Sequence, residues 1–173
     1  MIDDSPSFAG LFSEDYLVNL TNRHGLPRDL VSEVELSEFK IVEHERAVVF
    51  YHGAWSGPSV AALKLICTSM SGANKQFPTF LINADSLSAS NSADIEKAKE
   101  LFGTHIGAWG ETCWIRNGNI VARDILGRIR STHEFSKDHS ANLKPGAERH
   151  QQIAPSLEEL KDHIQERIKL VNS

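Results

Sequence analysis

The sequence contains little cysteine and no long hydrophobic run. Only Cys67 and Cys113 occur among its 173 residues, which excludes a disulfide-rich scaffold and favours a reducing compartment, so we expect a cytoplasmic protein. No stretch approaches the roughly 18 apolar residues of a membrane-spanning helix, and we expect no membrane partner. The acidic segment 1–6 is followed by no apolar stretch, so we expect no ordinary secretory signal.

Basic residues are fewer than acidic residues. Lysine and arginine number 18 against 23 aspartate and glutamate residues, which gives a net charge of −5. That balance argues against non-specific nucleic-acid binding, and we expect no nucleic-acid partner. One polar segment is rich in histidine, but a metal site would need three or four ligands to converge, and the spacing matches no ligand pattern. Its candidate ligands are His133, Asp138, His139 and His150. We therefore expect neither a metal nor a cofactor.

Apolar periodicity and turn residues predict an α/β protein. The strongest local signal is Asn117-Gly118 between two apolar segments, which is typical of a β-hairpin. A capping box opens the last helix at Ser156, and Leu157, Leu160, Ile164, Ile168 and Val171 are expected to form its buried face. The full predicted order is a helix around 12–20, a short edge strand around 34–36, a strand at 47–51, a helix at 58–70, a strand at 77–84, a helix from 91 or 92 to 102, hairpin strands at 112–116 and 120–126, and the closing helix.

This pattern divides the chain into four parts. We assign a helical extension to 1–33, a core to 34–126, an inserted polar loop to 127–154 and a C-terminal helix of the core to 155–173. The loop is assigned because its sequence carries Pro145-Gly146 and few large apolar side chains.

The most informative segment follows the apolar strand that ends at Tyr51. It reads Trp55-Ser56-Gly57-Pro58-Ser59, with proline at a favoured position in the first turn of a helix. The segment resembles the active site of the thioredoxin family, which reads Trp-Cys-Gly-Pro-Cys. Serine replaces both redox cysteines, and a hydroxyl neither forms a disulfide nor ionises near neutral pH.

The resemblance extends beyond this motif. The segments 101–103 and 110–112 are similar to the end of a family helix and to the approach to its hairpin, and Arg116-Asn117-Gly118 resembles the family's Lys-Asn-Gly turn. The resemblance to the thioredoxin family covers about residues 34–126 and 155–171. The resemblance implies a thioredoxin-like three-layer α/β/α sandwich with a central mixed sheet.

Three departures from the family bear on function. Ser56 and Ser59 replace the cysteine pair, Phe50 replaces a buried acidic residue of the redox enzymes, and Glu111 replaces the cis-proline that shapes their substrate groove. We expect a trans peptide bond at Glu111, because a non-proline cis bond costs about 3 kcal/mol. Three separate losses favour natural loss of redox function over two engineered substitutions, although the sequence alone leaves that open.

The resemblance and its departures together suggest a redox-inactive module that binds a protein or peptide. The expected contact surface is a groove formed by Trp55, Ser56, Gly57, Pro58, Ser59, Trp109 and Glu111. Exposed aromatic side chains on loops are typical binding anchors, although both tryptophans could instead be packing residues. The oligomeric state and the partner's identity stay open.

The sequence also admits two enzymatic alternatives and one structural alternative. A monothiol reductase, transferase or peroxidase-like activity would use Cys113 or, less readily, Cys67. A serine nucleophile would need a positioned base, for which His52 is near in sequence, but no Gly-x-Ser-x-Gly elbow occurs and helix capping explains the serines better. A permanent subunit of a larger complex is the third alternative.

Overall fold

The computed structural model describes residues 14–85, 92–103, 107–128 and 157–173. These residues form an α/β structure with a five-stranded mixed sheet and four α-helices, so the predicted α/β class is confirmed. The elements are α1 (Glu14–His24), β1 (Val31–Glu33), β2 (Arg46–His52), α2 (Gly57–Ser71), β3 (Thr79–Asn83), α3 (Ser92–Phe102), β4 (Glu111–Arg116), β5 (Asn119–Ile125) and α4 (Leu157–Asn172), with short 3-10 turns at Arg28–Leu30, Ile41–Glu43 and Leu126–Arg128.

The sheet has the strand order β1-β3-β2-β4-β5, with β2 in the centre. Strands β1, β3 and β2 are parallel, whereas β4 and β5 are antiparallel to their neighbours. The hairpin prediction is confirmed, since Asn117 and Gly118 have φ angles of 51° and 69° and positive φ at both positions is what a two-residue hairpin turn requires.

Two hydrophobic clusters lie on opposite faces of the sheet. Val48 and Phe50 join the cluster that contains the buried side chains of α1, α2 and α4. Val49 and Tyr51 join the second cluster, which contains those of α3. Successive strand residues point to opposite faces, so the continuous apolar run of β2 is explained by cover on both sides.

Helix α4 is held to the hairpin by a buried carboxylate. Asp124 on β5 accepts hydrogen bonds from Arg167 Nε at 2.9 Å and from Trp114 Nε1 at 2.8 Å, and it pairs with His163 Nε2 at 3.0 Å. Burial alone would raise the pKa of Asp124, but the bonds and charges of Arg167 and His163 outweigh it and lower that pKa. The carboxylate is therefore ionised and fixes how α4 lies on the sheet.

Several local predictions need correction. The edge strand lies at Val31–Glu33 and not around 34–36, because Leu36 is in a turn and buries its side chain there. Leu157 is 68% exposed instead of buried, whereas Ile164, Ile168 and Val171 are buried as predicted. Leu17 and Leu20 of α1 enter the first cluster, so this helix is part of the core packing.

Some predictions concern residues that the structure does not describe. The inserted loop at 127–154 lies outside the described residues except for Gly127 and Arg128, and the capping serine at 156 also lies outside them. Within the described residues, every helix is too short or too polar to cross a bilayer.

Candidate functional site

The candidate site lies where β2 ends and α2 begins. Ser56 is the N-cap of α2, and its Oγ accepts a hydrogen bond from the backbone N–H of Ser59 at 3.4 Å. Pro58 lies in the first turn, where its missing N–H has no intrahelical partner to lose. The helix-capping interpretation of Ser56 is confirmed.

The same serine ties α2 to the turn that precedes β4. Ser56 Oγ donates a hydrogen bond to the carbonyl of Ala108 at 2.5 Å. A Cβ placed on Gly53 would lie 3.0 Å from Ala108 Cβ and 3.1 Å from Trp55 Cε2. The indole of Trp55 and this turn therefore approach each other across Gly53, where a Cβ would force its neighbours to shift by a few tenths of an ångström.

Two tryptophans are exposed at this end of the sheet. Trp55 is 55% exposed and Trp109 is 43% exposed, and Gly57 and Pro58 beside them are also exposed. The ring nitrogen of Trp55 donates to Asp85 Oδ1 at 3.0 Å, which fixes the indole against the end of β3. We call Trp55, Gly57, Pro58 and Trp109 the tryptophan surface.

The structure places Glu111 inside the protein and not on this surface. It is 1% exposed, and its two carboxylate oxygens accept hydrogen bonds from the backbone N–H groups of Gly107, at 2.6 Å, and of Trp109, at 2.8 Å. The expected negative charge in the groove is thus directed inward, where it holds the turn that presents Trp109. The inward orientation of Glu111 could not be predicted from the sequence, because an acidic residue beside a glycine-rich turn is equally compatible with exposure.

Ser56 and Ser59 are likewise buried, and a hydrogen-bonded chain that the sequence did not predict runs through Ser59. Its Oγ lies 2.8 Å from His52 Nδ1 and accepts from Gly53 N–H at 3.2 Å. His52 Nε2 lies 2.6 Å from the Tyr16 hydroxyl on α1. Burial lowers the pKa of His52 to about 4, so the imidazole is neutral at neutral pH.

This serine–histidine pair has the spacing of a nucleophile and its base, but it lacks access. Both side chains have no exposed surface, and a nucleophile must reach a substrate carbonyl. The hydrogen-bonded side chains of Tyr16, His52 and Ser59 instead connect α1, β2 and α2. One sequence feature could have predicted the contact between His52 and Ser59. The histidine ends a buried strand, and the serine follows seven residues later in the first turn of a helix.

Both cysteines are buried on opposite sides of the sheet. Cys67 belongs to the cluster under α2 and Cys113 to the cluster under α3. Burial raises the pKa of each thiol to about 12, so neither carries a thiolate at neutral pH. Among the described residues, no three potential ligands converge to hold a metal ion, and the histidine-rich segment named above lies outside them.

The site therefore combines a rigid, exposed aromatic surface with buried polar groups that stabilise it. The described thiols and the histidine–serine pair are all buried, so none of these groups is presented on the tryptophan surface. In the comparisons with known proteins, no family model and no curated protein matches this chain.

Proposed function

We propose that this chain is a redox-inactive thioredoxin-like module that binds an extended segment of a protein partner on the tryptophan surface. The observation that carries the proposal is the exposure of Trp55 and Trp109 on two segments joined by the bond from Ser56 to Ala108. Large exposed aromatic side chains on a fixed framework are typical of binding surfaces.

The arrangement of elements supports the thioredoxin-like part of the proposal. The motif with two serines follows the central strand β2 and opens α2, and β2 lies between the parallel strand β3 and the antiparallel strand β4. Helices pack on both faces of the sheet. These features agree with the layout implied by the sequence resemblance.

The surface is suited to binding because its parts are already fixed. Asp85 holds the Trp55 indole, and Glu111 holds the backbone of Trp109. A partner that covers such side chains gains apolar burial while little rotamer freedom is lost, which lowers the entropic cost of association. An anchor tryptophan at an interface commonly contributes about 2 kcal/mol or more.

The monothiol alternative receives no support from the two thiols. An attacking cysteine must be ionised and accessible, whereas Cys67 and Cys113 have no exposed surface and a pKa of about 12. The loss of the cysteine pair at Ser56 and Ser59 leaves dithiol exchange without a reactant. Dithiol-driven insulin reduction is therefore expected to stay at its uncatalysed rate.

A peptide selection tests the proposal. Random peptides are selected on the wild-type protein and counter-selected on a Trp55→Ala/Trp109→Ala variant. We expect enriched peptides whose Kd rises about thirtyfold or more with Trp55→Ala alone, because 2 kcal/mol corresponds to that factor. Val42→Ala is the matched control, since Val42 is an exposed apolar residue beside the hairpin turn at the other end of β2.

Two outcomes would contradict the proposal. One is enrichment of peptides that bind the double variant as tightly as the wild type. The other is an unchanged Kd accompanied by a large fall in the melting temperature of Trp55→Ala, which would make Trp55 a packing residue.

A further inference from the structure

One exposed carboxylate, that of Asp85, lies beside the tryptophan surface. Asp85 follows β3 at the edge of the sheet where the parallel strand β2 also ends. Its Oδ1 accepts the hydrogen bond from Trp55 Nε1 at 3.0 Å, and its backbone N–H donates to Asn83 Oδ1 at 2.9 Å. Asp85 is thus held through both its side chain and its backbone. The negative charge that was expected from Glu111 is provided at this surface by Asp85 instead.

This carboxylate has no cationic partner in the part of the chain that the structure describes. Asp85 takes part in none of the ion pairs there, and no described donor contacts its Oδ2. A partner that covers the Trp55 indole must also cover Asp85, because the two side chains are hydrogen-bonded to each other. Covering a charge without pairing it is costly. The partner is therefore expected to bring a cation to this point.

The indole of Trp55 offers a face, and not its N–H, to that cation. The N–H is used by Asp85, and a hydrogen bond prefers to lie along the N–H direction, which is in the plane of the ring. The carboxylate accordingly lies at the edge of the indole, and more than half of the Trp55 surface stays exposed. Aromatic faces attract cations, and tryptophan does so most strongly. An open indole face and an unpaired carboxylate thus lie side by side.

We propose that the bound segment carries an arginine whose guanidinium stacks on the Trp55 indole and donates a hydrogen bond to Asp85 Oδ2. This inference rests on the proposed function and names the chemistry of the segment that the tryptophan surface binds. A planar guanidinium can stack on a ring while the N–H groups at its edge donate to a carboxylate. The ammonium of lysine is a compact, strongly hydrated charge and is less suited to making both contacts.

The peptides selected on the tryptophan surface give the first test. Among those whose binding requires Trp55, arginine is expected to be enriched at one position relative to the starting library. Peptides that require Trp55 without enrichment of arginine would overturn this inference and leave the proposed function standing. If no selected peptide requires Trp55, the proposed function fails and this inference fails with it.

Substitution of the arginine in the tightest selected peptide tests the role of its charge. Citrulline keeps the planar shape of arginine and is neutral, so it should raise the Kd about tenfold, because the contact with the indole and the pairing with Asp85 both weaken. Lysine keeps the charge and should raise the Kd about threefold. Binding of the citrulline or the lysine peptide as tightly as the arginine peptide would contradict the assignment.

Asp85→Asn tests the same contact from the side of the protein. Asparagine keeps an oxygen that can accept from Trp55 Nε1 and removes the charge. The Kd of the arginine peptide should rise about fivefold, and that of the citrulline peptide should not change. Asp29→Asn is the matched control, since Asp29 is exposed just before β1, at the opposite end of the parallel strands, and it should change neither Kd.

Two results with these variants would overturn the inference. Equal losses for the arginine and citrulline peptides in Asp85→Asn would make Asp85 only a support for the indole. Equal losses for the arginine peptide in Asp85→Asn and Asp29→Asn would show that only the net charge of the protein matters.

Discussion

Ser56 and Ser59 occupy places where a hydroxyl serves better than a thiol. Ser56 Oγ both donates to Ala108 and accepts from a backbone N–H, and Ser59 Oγ lies between His52 and the N–H of Gly53. A thiol is a weak donor and a weak acceptor, so cysteine at either position would weaken these bonds. Each serine is thus explained by its contacts and needs no catalytic purpose.

Replacing both serines by cysteine tests the proposed family at the residue scale. In a thioredoxin-like turn, two side chains separated by Gly-Pro can bring their sulfurs into bonding range, so Ser56→Cys/Ser59→Cys should form an intramolecular disulfide under mild oxidation. Counting thiols in denaturant should then give two, from Cys67 and Cys113. Ser56→Cys alone is the control and should give three.

The same variant should remain a poor disulfide reductase, because Phe50 is apolar and Glu111 is committed to the turn that carries Trp109. Four free thiols in the oxidised double variant would show that this turn does not have thioredoxin geometry. The proposed fold family would then lose its main support.

Among the elements, α1 is joined to the central strand by a series of hydrogen-bonded side chains. The Tyr16 hydroxyl, the His52 imidazole and the Ser59 hydroxyl connect α1, β2 and α2 within an otherwise apolar interface. Because His52 is buried and neutral, protonation must work against the folded state. The stability of the packing around α1 should therefore depend on pH.

The sign of that dependence follows from the two pKa values of His52. Its pKa is about 4 in the folded protein and about 6.5 in the unfolded chain, so the unfolded state binds the extra proton between these values. The contribution of neutral His52 to the free energy of unfolding should be fully present above pH 6.5. That free energy should fall by about 3 kcal/mol as the pH drops to 4. Urea unfolding across this range measures it.

Two variants separate this effect from other acid sensitivity. His52→Gln should flatten the profile between pH 6.5 and 4, because the titrating group is gone. Tyr16→Phe should lose stability at every pH and keep the slope, because it removes only the bond to the ring. An unchanged slope in His52→Gln would show that His52 does not control the dependence.

For the molecule as a whole, the sheet separates two cores that each contain one thiol. Cys67 lies under α2 and Cys113 lies under α3, and neither has exposed surface. Reaction at either thiol requires the corresponding face to open. The native protein is therefore expected to be inert toward thiol reagents.

Alkylation of the native protein tests this expectation. In iodoacetamide at pH 7.5, both cysteines should stay unmodified over the time in which the urea-unfolded chain is fully labelled, as read by mass spectrometry of peptides. Labelling should be slow because it depends on the small population of open states. Fast, selective labelling of Cys113 would instead support the alternative that this protein is a monothiol enzyme.

The sequence alone determined the class of this protein and the location of most of its elements. The hairpin at Asn117-Gly118, the helix start at Ser56 and the doubly covered strand β2 follow from local backbone preferences and hydrophobic periodicity, which act over a few residues. The exposure of Trp55 was also expected, since it sits in a turn.

Only the tertiary structure decided which polar groups face inward. Glu111 turned out to bind backbone N–H groups, and His52 found partners on two helices. Each of these outcomes depends on segments far apart in the chain or on the direction of one side chain. A one-dimensional pattern does not contain that information, because burial of a polar group is stable only where the fold supplies its partner.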